Sequence, residues 1–320
     1  MAVLGGPPIP VVLAVDLEPD GPGAVLDHDA TWHNTGAIRR WVDDVRQRAE
    51  ARSGHPSRVA WLLRCDPQVE AVFGRATHLI ETEPRFFAAA RARGDEMGVH
   101  VHAWRRSPGG GWVDDFGDPE WFAHCLDRAF TAYAEGFGEP ARIASIGNRY
   151  LTPTAIERLV AHGVAIDLTA EPANGPVEDG AWPGVTGDLP DFRRTPRGLH
   201  QLAPGLVELP VTASRKRLGR DVRAHLHRMR RHGVRERLDH PVQLGGKPVP
   251  GVGFDELMAD SLRHQRGRPF LHFAVRSDGV LDPVQRPRLD ANVAALLAMP
   301  EAPRFAFVGP SEAVRMLEGG

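Results

Sequence analysis

Residues 11–20 read VVLAVDLEPD, a continuous apolar run that ends in the acids Asp16, Glu18 and Asp20. An unbroken run of aliphatic residues is typical of a strand that is buried on both faces, as in a parallel sheet. Alternate residues of a strand point to the same face, so Asp16 and Glu18 share one face. The stretch therefore predicts a buried parallel strand that places two carboxylates at its carboxyl end.

A second strand-like stretch, residues 96–104 (EMGVHVHAW), carries His100 and His102. At strand spacing both imidazoles point the same way, about 6–7 Å apart. Imidazole is the commonest metal ligand among side chains. With one carboxylate they predict a metal site of two histidines and one acid, made of Glu18, His100 and His102. Asp20 is the alternative acid, and Glu18 is preferred because it precedes Pro19, which interrupts strand pairing.

Short apolar runs alternate with amphipathic stretches along the whole chain. Strands are predicted over 11–18, 59–66, 97–104, 141–147, 164–169, 206–212, 270–277 and 304–308. Helices are predicted over 35–52, 83–93, 118–135, 153–162, 254–265, 285–298 and 310–318. This alternation predicts a single α/β domain over residues 1–320, with a mainly parallel sheet.

Polar residues gather at the carboxyl ends of the predicted strands. In a barrel of parallel strands these ends form the active-site face. No glycine-rich phosphate loop follows the first strand, which argues against a dinucleotide or P-loop site. We assign to substrate binding the polar and aromatic residues at or near these ends: Arg64, Asp66, Trp104, Asn148, Tyr150 and Arg276.

Two segments stand apart from the alternating pattern. Residues 171–205 are rich in glycine and proline and are interpreted as a long loop, of the kind that often carries function. Residues 215–237 hold ten Lys/Arg and two acids, with apolar residues at helical spacing. They predict either a solvated amphipathic helix or a basic wall that attracts an anionic substrate.

Composition restricts the partners and the compartment. Hydrophobic residues make up 42% and charged residues 25%, and the net charge is -2, so nothing favours nucleic acid or an anionic membrane. No apolar stretch is long enough to span a membrane, and the first residues lack a signal-peptide pattern, so we expect a cytoplasmic protein of undetermined oligomeric state. Cys65 and Cys125 are expected to be reduced and buried.

The ordered motifs resemble those of the polysaccharide deacetylase family, the chitooligosaccharide-deacetylase homology domain, as a divergent member. The motifs are VVLAVDLEPD, DEMGVHVHAW, SIGNRYLTPTAIERLVAHGVAIDLT, LVELPVTA and FLHFAVRSDG, and they span roughly residues 10 to 310. The resemblance implies a distorted (β/α)7 TIM-like barrel with one divalent metal. Zinc is the first choice, with nickel, cobalt or manganese as alternatives. It also implies a hydrolase that removes an acyl group, N-acetyl in the family, from an amino sugar or a related small amide.

The resemblance also implies roles for individual residues. Asp16 resembles the catalytic base, Glu18 the metal-binding carboxylate and His100 the first metal-binding histidine. Trp104 occupies the place of the family's second histidine, so His102 would substitute for it. His272 resembles the general acid, and Arg149 would replace the arginine that orients the base, which the family places near residues 145–146.

Two other functions remain open at this point. A degenerate barrel would bind carbohydrate without turnover, as the missing third-motif arginine suggests. A glycosidase on the same fold would use Asp16 and a second carboxylate about 5–9.5 Å away across a bound sugar. In both cases the partner is a small molecule or an oligosaccharide.

Overall fold

The computed structural model describes residues 6–21, 23–182, 184–215, 239–246, 252–265 and 267–319. Almost all of the basic segment predicted over 215–237 lies outside these residues.

The described part of the chain alternates strands with helices, as predicted. The strands are β1 Ile9–Leu17, β2 Ala60–Arg64, β3 Glu96–Val101, β4 Trp104–Arg106, β5 Trp112–Asp115, β6 Ile143–Ile146, β7 Ile166–Asp167, β8 Val185–Thr186, β9 His200–Ala203, β10 Leu206–Glu208, β11 Ala213–Arg215, β12 Asp239–Pro241, β13 Leu271–Arg276 and β14 Phe305–Phe307. The helices are α1 His33–Ser53, α2 Pro67–Phe73, α3 His78–Thr82, α4 Pro84–Ala92, α5 Pro119–Phe137, α6 Pro153–Ala161, α7 Phe254–His264, α8 Gln285–Ala298 and α9 Pro310–Glu318.

The main sheet confirms the predicted parallel α/β class. Its order is β13-β1-β2-β3-β6-β7-β10-β9, and every neighbouring pair as far as β10 is parallel. β9 joins antiparallel at the end, and β14 pairs with the first residues of β1. The sheet curls as an open barrel, so the carboxyl ends of its strands face one side.

Hydrogen bonds between the segment after β10 and β13 bring the two ends of the curled sheet together. Thr212 N donates to His272 O at 3.0 Å, and His272 N donates to the Thr212 hydroxyl at 2.8 Å. His272 Nδ1 lies 2.9 Å from Leu209 O. These contacts close the barrel where strand pairing stops.

β1 lies between β13 and β2 in the sheet and also pairs with β14. All nine residues of β1 are buried, which fits a strand covered on both faces. One face of β1 belongs to the same core cluster as Ile38, Trp41 and Val45 of α1. The local end signals agree with the sequence: Thr152 accepts from Ala155 N at 3.2 Å at the start of α6.

The structure differs from the predicted elements in several places. The strand predicted over 97–104 ends at Val101, and Trp104 begins β4 in a separate three-stranded sheet with β5 and β8. Residues 67–82 form α2 and α3, which were not predicted because each is too short for a helical period to show. The 171–205 stretch contains the short strands β8 and β9.

Two expectations about composition can also be compared with the structure. Cys65 and Cys125 are free and buried. Among the described residues, no helix has both the length and the apolar character needed to cross a membrane.

Candidate metal centre

Three donor atoms from two neighbouring regions of the sheet converge at the carboxyl edge. Glu18 follows β1, and His100 and His102 lie at the end of β3 and just after it. Glu18 Oε1 is 3.5 Å from His100 Nε2 and 3.5 Å from His102 Nε2. All three side chains are buried, and their donor atoms lie within 4.8 Å of one another.

The spacing fits a tetrahedral ion. Ligand atoms 2.0–2.1 Å from zinc at the tetrahedral angle lie about 3.4 Å apart. Glu18 Oε1 is buried without a hydrogen-bond partner, which is costly unless a cation completes the site. Asp20, the alternative acid, is turned away, because it accepts from His33 N at 2.8 Å and Asn34 N at 2.9 Å at the start of α1.

His102 is oriented by an acid that the sequence did not reveal. Asp114 Oδ2 on β5 is 2.6 Å from His102 Nδ1, and Asn148 Nδ2 donates to the same oxygen at 2.8 Å. A carboxylate behind the second ring nitrogen is the usual support of a metal-binding histidine. Gly147 makes room for the ring, because a Cβ there would lie 2.3 Å from it. The available signal was the pair of acids in the apolar stretch WVDDF at 112–116.

Glu18 keeps its negative charge although it is buried. Arg64 Nη1 donates to its Oε2 at 2.7 Å, and Arg276 Nε lies 3.8 Å from its Oε1. Burial alone would raise the pKa of Glu18, but these two guanidinium groups hold it well below the usual range. An ionised carboxylate is the form that binds a cation.

Asp16 lies beside the three donor atoms without belonging to them. Its Oδ1 is 3.6 Å from His100 Nδ1, too long for a hydrogen bond, and both atoms lack partners. Burial raises the pKa of Asp16, and the His100 imidazole lowers it in part. A buried carboxylate whose pKa is raised toward neutral is suited to accept a proton.

The donor atoms open into a cavity of about 450 Å³. Its wall includes Asn148, Arg149, Arg276, Trp182 and Glu171, besides Asp16 and the metal-site residues. Asn148, Arg149 and Arg276, all predicted from the sequence, are thus brought to the cavity.

Other predicted site residues lie outside the cavity lining. Arg64 and Asp66 are fully buried and paired with each other, and Asp66 also begins α2 by accepting from Gln68 N and Val69 N. Trp104 is buried beside the His102 ring, with the ring centroids 5.9 Å apart. These residues support the cavity wall from behind.

Tyr150 and His272 are also placed away from the cavity wall. The Tyr150 hydroxyl donates to Phe116 O at 2.8 Å, and its ring stacks on Phe116. His272 is fully buried, with Nδ1 bonded to Leu209 O and Nε2 unpartnered. It pairs with Val12, four residues before Asp16 along β1. The geometry thus gives His272 a place at the barrel closure.

Fold and site together define a parallel α/β barrel with a candidate metal centre at the carboxyl ends of its strands. No protein-family model matches the chain, and no curated protein matches it. The comparison with solved structures does give matches.

The chain is similar to several solved structures at low sequence identity. A Mycobacterium smegmatis protein assigned as a polysaccharide deacetylase is 14% identical over 100% of this chain and 93% of its own, with a TM-score of 0.44. The Puue allantoinase is 9% identical over 97% and 90%, with a TM-score of 0.49. A family 4 acetyl xylan esterase from Clostridium thermocellum, in complex with cobalt, is 12% identical over 97% and 92%, with a TM-score of 0.40. Deacetylases are among the similar structures, and the substrates in these names belong to those proteins.

Proposed function

We propose that this protein is a metal-dependent hydrolase that removes an acyl group, N-acetyl first of all, from an amino sugar or a related small amide. The observation that carries the proposal is the meeting of Glu18 Oε1, His100 Nε2 and His102 Nε2 at the wall of an open cavity. Three protein ligands beside open space are typical of catalytic sites and differ from closed, four-ligand structural sites.

The chemistry divides between the ion and the side chains around it. A divalent ion held by Glu18, His100 and His102 would supply Lewis-acid chemistry, polarising a carbonyl group and acidifying water. Asp16, whose Oδ1 lies 3.6 Å from His100 Nδ1 at the cavity wall, would accept the proton of the attacking water. The C–O bond forms, the C–N bond breaks, and the proton held on Asp16 goes to the leaving amine. This assignment requires no role for His272.

The surrounding residues fix the positions of these groups. Asp114 and Asn148 hold the His102 ring, and Arg64 holds Glu18. Metal binding also requires His102 to lose a proton. Burial lowers its pKa, but the Asp114 carboxylate outweighs this and raises it to about 9. Binding through Nε2 at neutral pH therefore releases a proton.

Metal analysis combined with matched variants tests the proposal. The protein would be stripped with chelator, reloaded with zinc, cobalt, nickel or manganese, and tested on N-acetylated sugars, acetyl esters and a cyclic ureide. We expect one bound ion per chain. His100→Ala and His102→Ala should lower both metal content and rate by about 100-fold or more, and Asp114→Asn by about 10- to 100-fold.

His55→Ala, which removes an exposed imidazole away from the cavity, is the control. Absence of bound metal, or full activity in His100→Ala, would overturn the proposal. Sugar binding without turnover under any metal would favour a carbohydrate-binding protein. Hydrolysis of a glycosidic bond that survives chelator would favour a glycosidase.

A further inference from the structure

Arg149 is held in the cavity wall by a strained turn. Gly147–Arg149 form a short 3-10 turn after β6, with φ of 50° at Asn148 and 62° at Arg149. Non-glycine residues with positive φ are uncommon, cost about 1–3 kcal/mol and gather at functional sites. Asn148 is fixed by its hydrogen bond to Asp114, the acid behind His102. The turn therefore ties the position of Arg149 to the metal centre.

The Arg149 guanidinium has no hydrogen-bond or ion-pair partner among the described residues. Its side-chain contact is with the ring of Trp182, whose centroid is 5.2 Å from Cζ. A cation–π contact uses the ring face and leaves the N–H donors free. Arg276, the other guanidinium of the wall, differs because it donates to Asp278 at 2.9 and 3.2 Å.

The nearest acid does not neutralise Arg149 by contact. Glu171 lines the same cavity, but its carboxylate accepts from Asn174 Nδ2 at 2.5 Å and from Gln243 Nε2 at 3.2 Å. Burial lowers the pKa of Arg149 and Glu171 raises it in part, and arginine stays charged at neutral pH. Among the residues that the structure describes, the five N–H donors of Arg149 have no hydrogen-bond partner, so the cavity presents a positive charge with free donors.

We propose that Arg149 binds an anionic group of the substrate, a carboxylate or a phosphate, and so selects acidic substrates for the metal centre. The planar guanidinium matches both groups by paired N–H···O bonds. Trp182 covers one side of this subsite and, at 39% exposure, offers a ring to the part of the substrate near the anion. The inference rests on the proposed function, because it specifies the substrate of the same cavity.

Ligands that share an N-acetylated sugar but differ in their anionic group test the contribution of the substrate's charge. The probes are N-acetylglucosamine, N-acetylglucosamine 6-phosphate and N-acetylmuramic acid, which carry no anion, a phosphate and a carboxylate. Binding to the full protein is measured by calorimetry, and kcat/KM is measured with the metal-loaded protein. The wild type should prefer one of the anionic probes over the neutral one. Arg149→Gln should lower that preference by about 10- to 100-fold, the range for a hydrogen bond to a charged group.

Arg75→Gln, which removes an exposed arginine paired with Glu81 on the surface, is the control and should keep the preference. Arg149→Lys keeps the positive charge but lacks the paired N–H donors of the guanidinium, so it should retain an intermediate preference for the anionic probes. This variant tests the inference if Arg149→Gln does not fold. The phosphate and carboxylate probes show which anion fits. Equal loss for neutral and anionic probes, as expected of a residue that only orients Asp16, would overturn the inference, as would a wild type without preference. Absence of turnover with every probe would contradict the proposed function, while the binding ratios would still test Arg149.

Discussion

Two groups of buried titratable residues occupy the same sheet, and the pKa values of their glutamates and histidines are shifted in opposite directions. The cavity cluster, defined as Asp16, Glu18, His100 and His102, faces the open cavity. The closing seam, defined as Asp167, Glu208 and His272, lies where β7, β10 and β13 approach one another. All seven side chains are buried. Burial alone therefore does not decide which of them carry charge.

The glutamates show the difference most directly. Glu18 has Arg64 at 2.7 Å and Arg276 at 3.8 Å, and its pKa lies well below the usual range. Glu208 lies beside Asp167, and burial together with that second carboxylate raises its pKa well above the usual range. The same residue type is thus ionised in the cavity cluster and protonated in the closing seam.

The two histidines also differ in pKa, which is raised for His102 and lowered for His272. His102 pairs with Asp114, which raises its pKa to about 9 against the effect of burial. Among the described residues, the His272 ring bonds to backbone carbonyl groups, and burial lowers its pKa to about 4. Counter-charges supplied by neighbouring elements favour the charged forms of Glu18 and His102 in the cavity cluster. In the closing seam, burial instead favours the neutral forms of Glu208 and His272.

The largest effect is expected when a counter-charge of the cavity cluster is removed. Arg64→Met leaves Glu18 and Asp66 buried without their guanidinium and should lower the free energy of unfolding by about 3–5 kcal/mol. Chemical denaturation monitored by circular dichroism measures this. Arg48→Met, at a surface pair with Asp44, is the control and should cost under about 1 kcal/mol. If Arg64→Met lowered the free energy of unfolding as little as Arg48→Met does, the view that Arg64 keeps Glu18 charged would be contradicted.

Much of the fold could be predicted from the sequence because its signals are local. The apolar run of β1, the alternation of strands and helices, and the Thr152-Pro153 start of α6 all depend on neighbouring residues. The convergence of Glu18, His100 and His102 followed from strand periodicity and from the common edge of parallel strands. The family resemblance gave Glu18 and His100, and it gave His102 only as a substitute for the histidine whose place Trp104 occupies.

What could not be predicted depends on contacts between distant residues. Asp114 lies 12 residues after His102 and reaches it because β5 pairs with β4, a strand that was not expected. Arg64 and Asp66 look like site residues at a strand end, yet they pair inside the protein. His272 sits on a predicted strand, but its depth below the cavity depends on its register with β1. Local sequence patterns carry no information on that register.

His272 allows a pH test of the closing seam. Its pKa is about 4 in the folded protein and about 6.5 when unfolded, so the unfolded chain binds more protons between these values. Stability from this group is present above about pH 6.5 and is lost as the pH falls toward 4, by roughly 3 kcal/mol. His272→Asn should flatten this part of the curve of unfolding free energy against pH. His55→Asn should not, and an unchanged slope in His272→Asn would mean that His272 is already charged in the fold.

The smallest effects on stability are expected when glutamine replaces each of the two glutamates, Glu18 and Glu208, in turn. Glu18→Gln removes a charge that Arg64 needs and should cost about 1–3 kcal/mol at neutral pH. Glu208→Gln replaces a protonated acid by a neutral group of the same shape, keeps an acceptor for Ala170 N, and should change stability by less than about 1 kcal/mol below about pH 4.5, where the wild-type acid is protonated in both the folded and the unfolded chain. Denaturation at several pH values measures both.

The pH trends of these two variants have opposite signs. Because its folded pKa is raised, the contribution of Glu208 is present below its unfolded pKa and is lost as the pH rises, so Glu208→Gln should gain stability relative to wild type between about pH 4.5 and neutral. The folded pKa of Glu18 is lowered, so its contribution is present above about pH 4.5 and is lost as the pH falls, and the deficit of Glu18→Gln should shrink in acid. Parallel trends in the two variants would contradict the contrast between the cavity cluster and the closing seam.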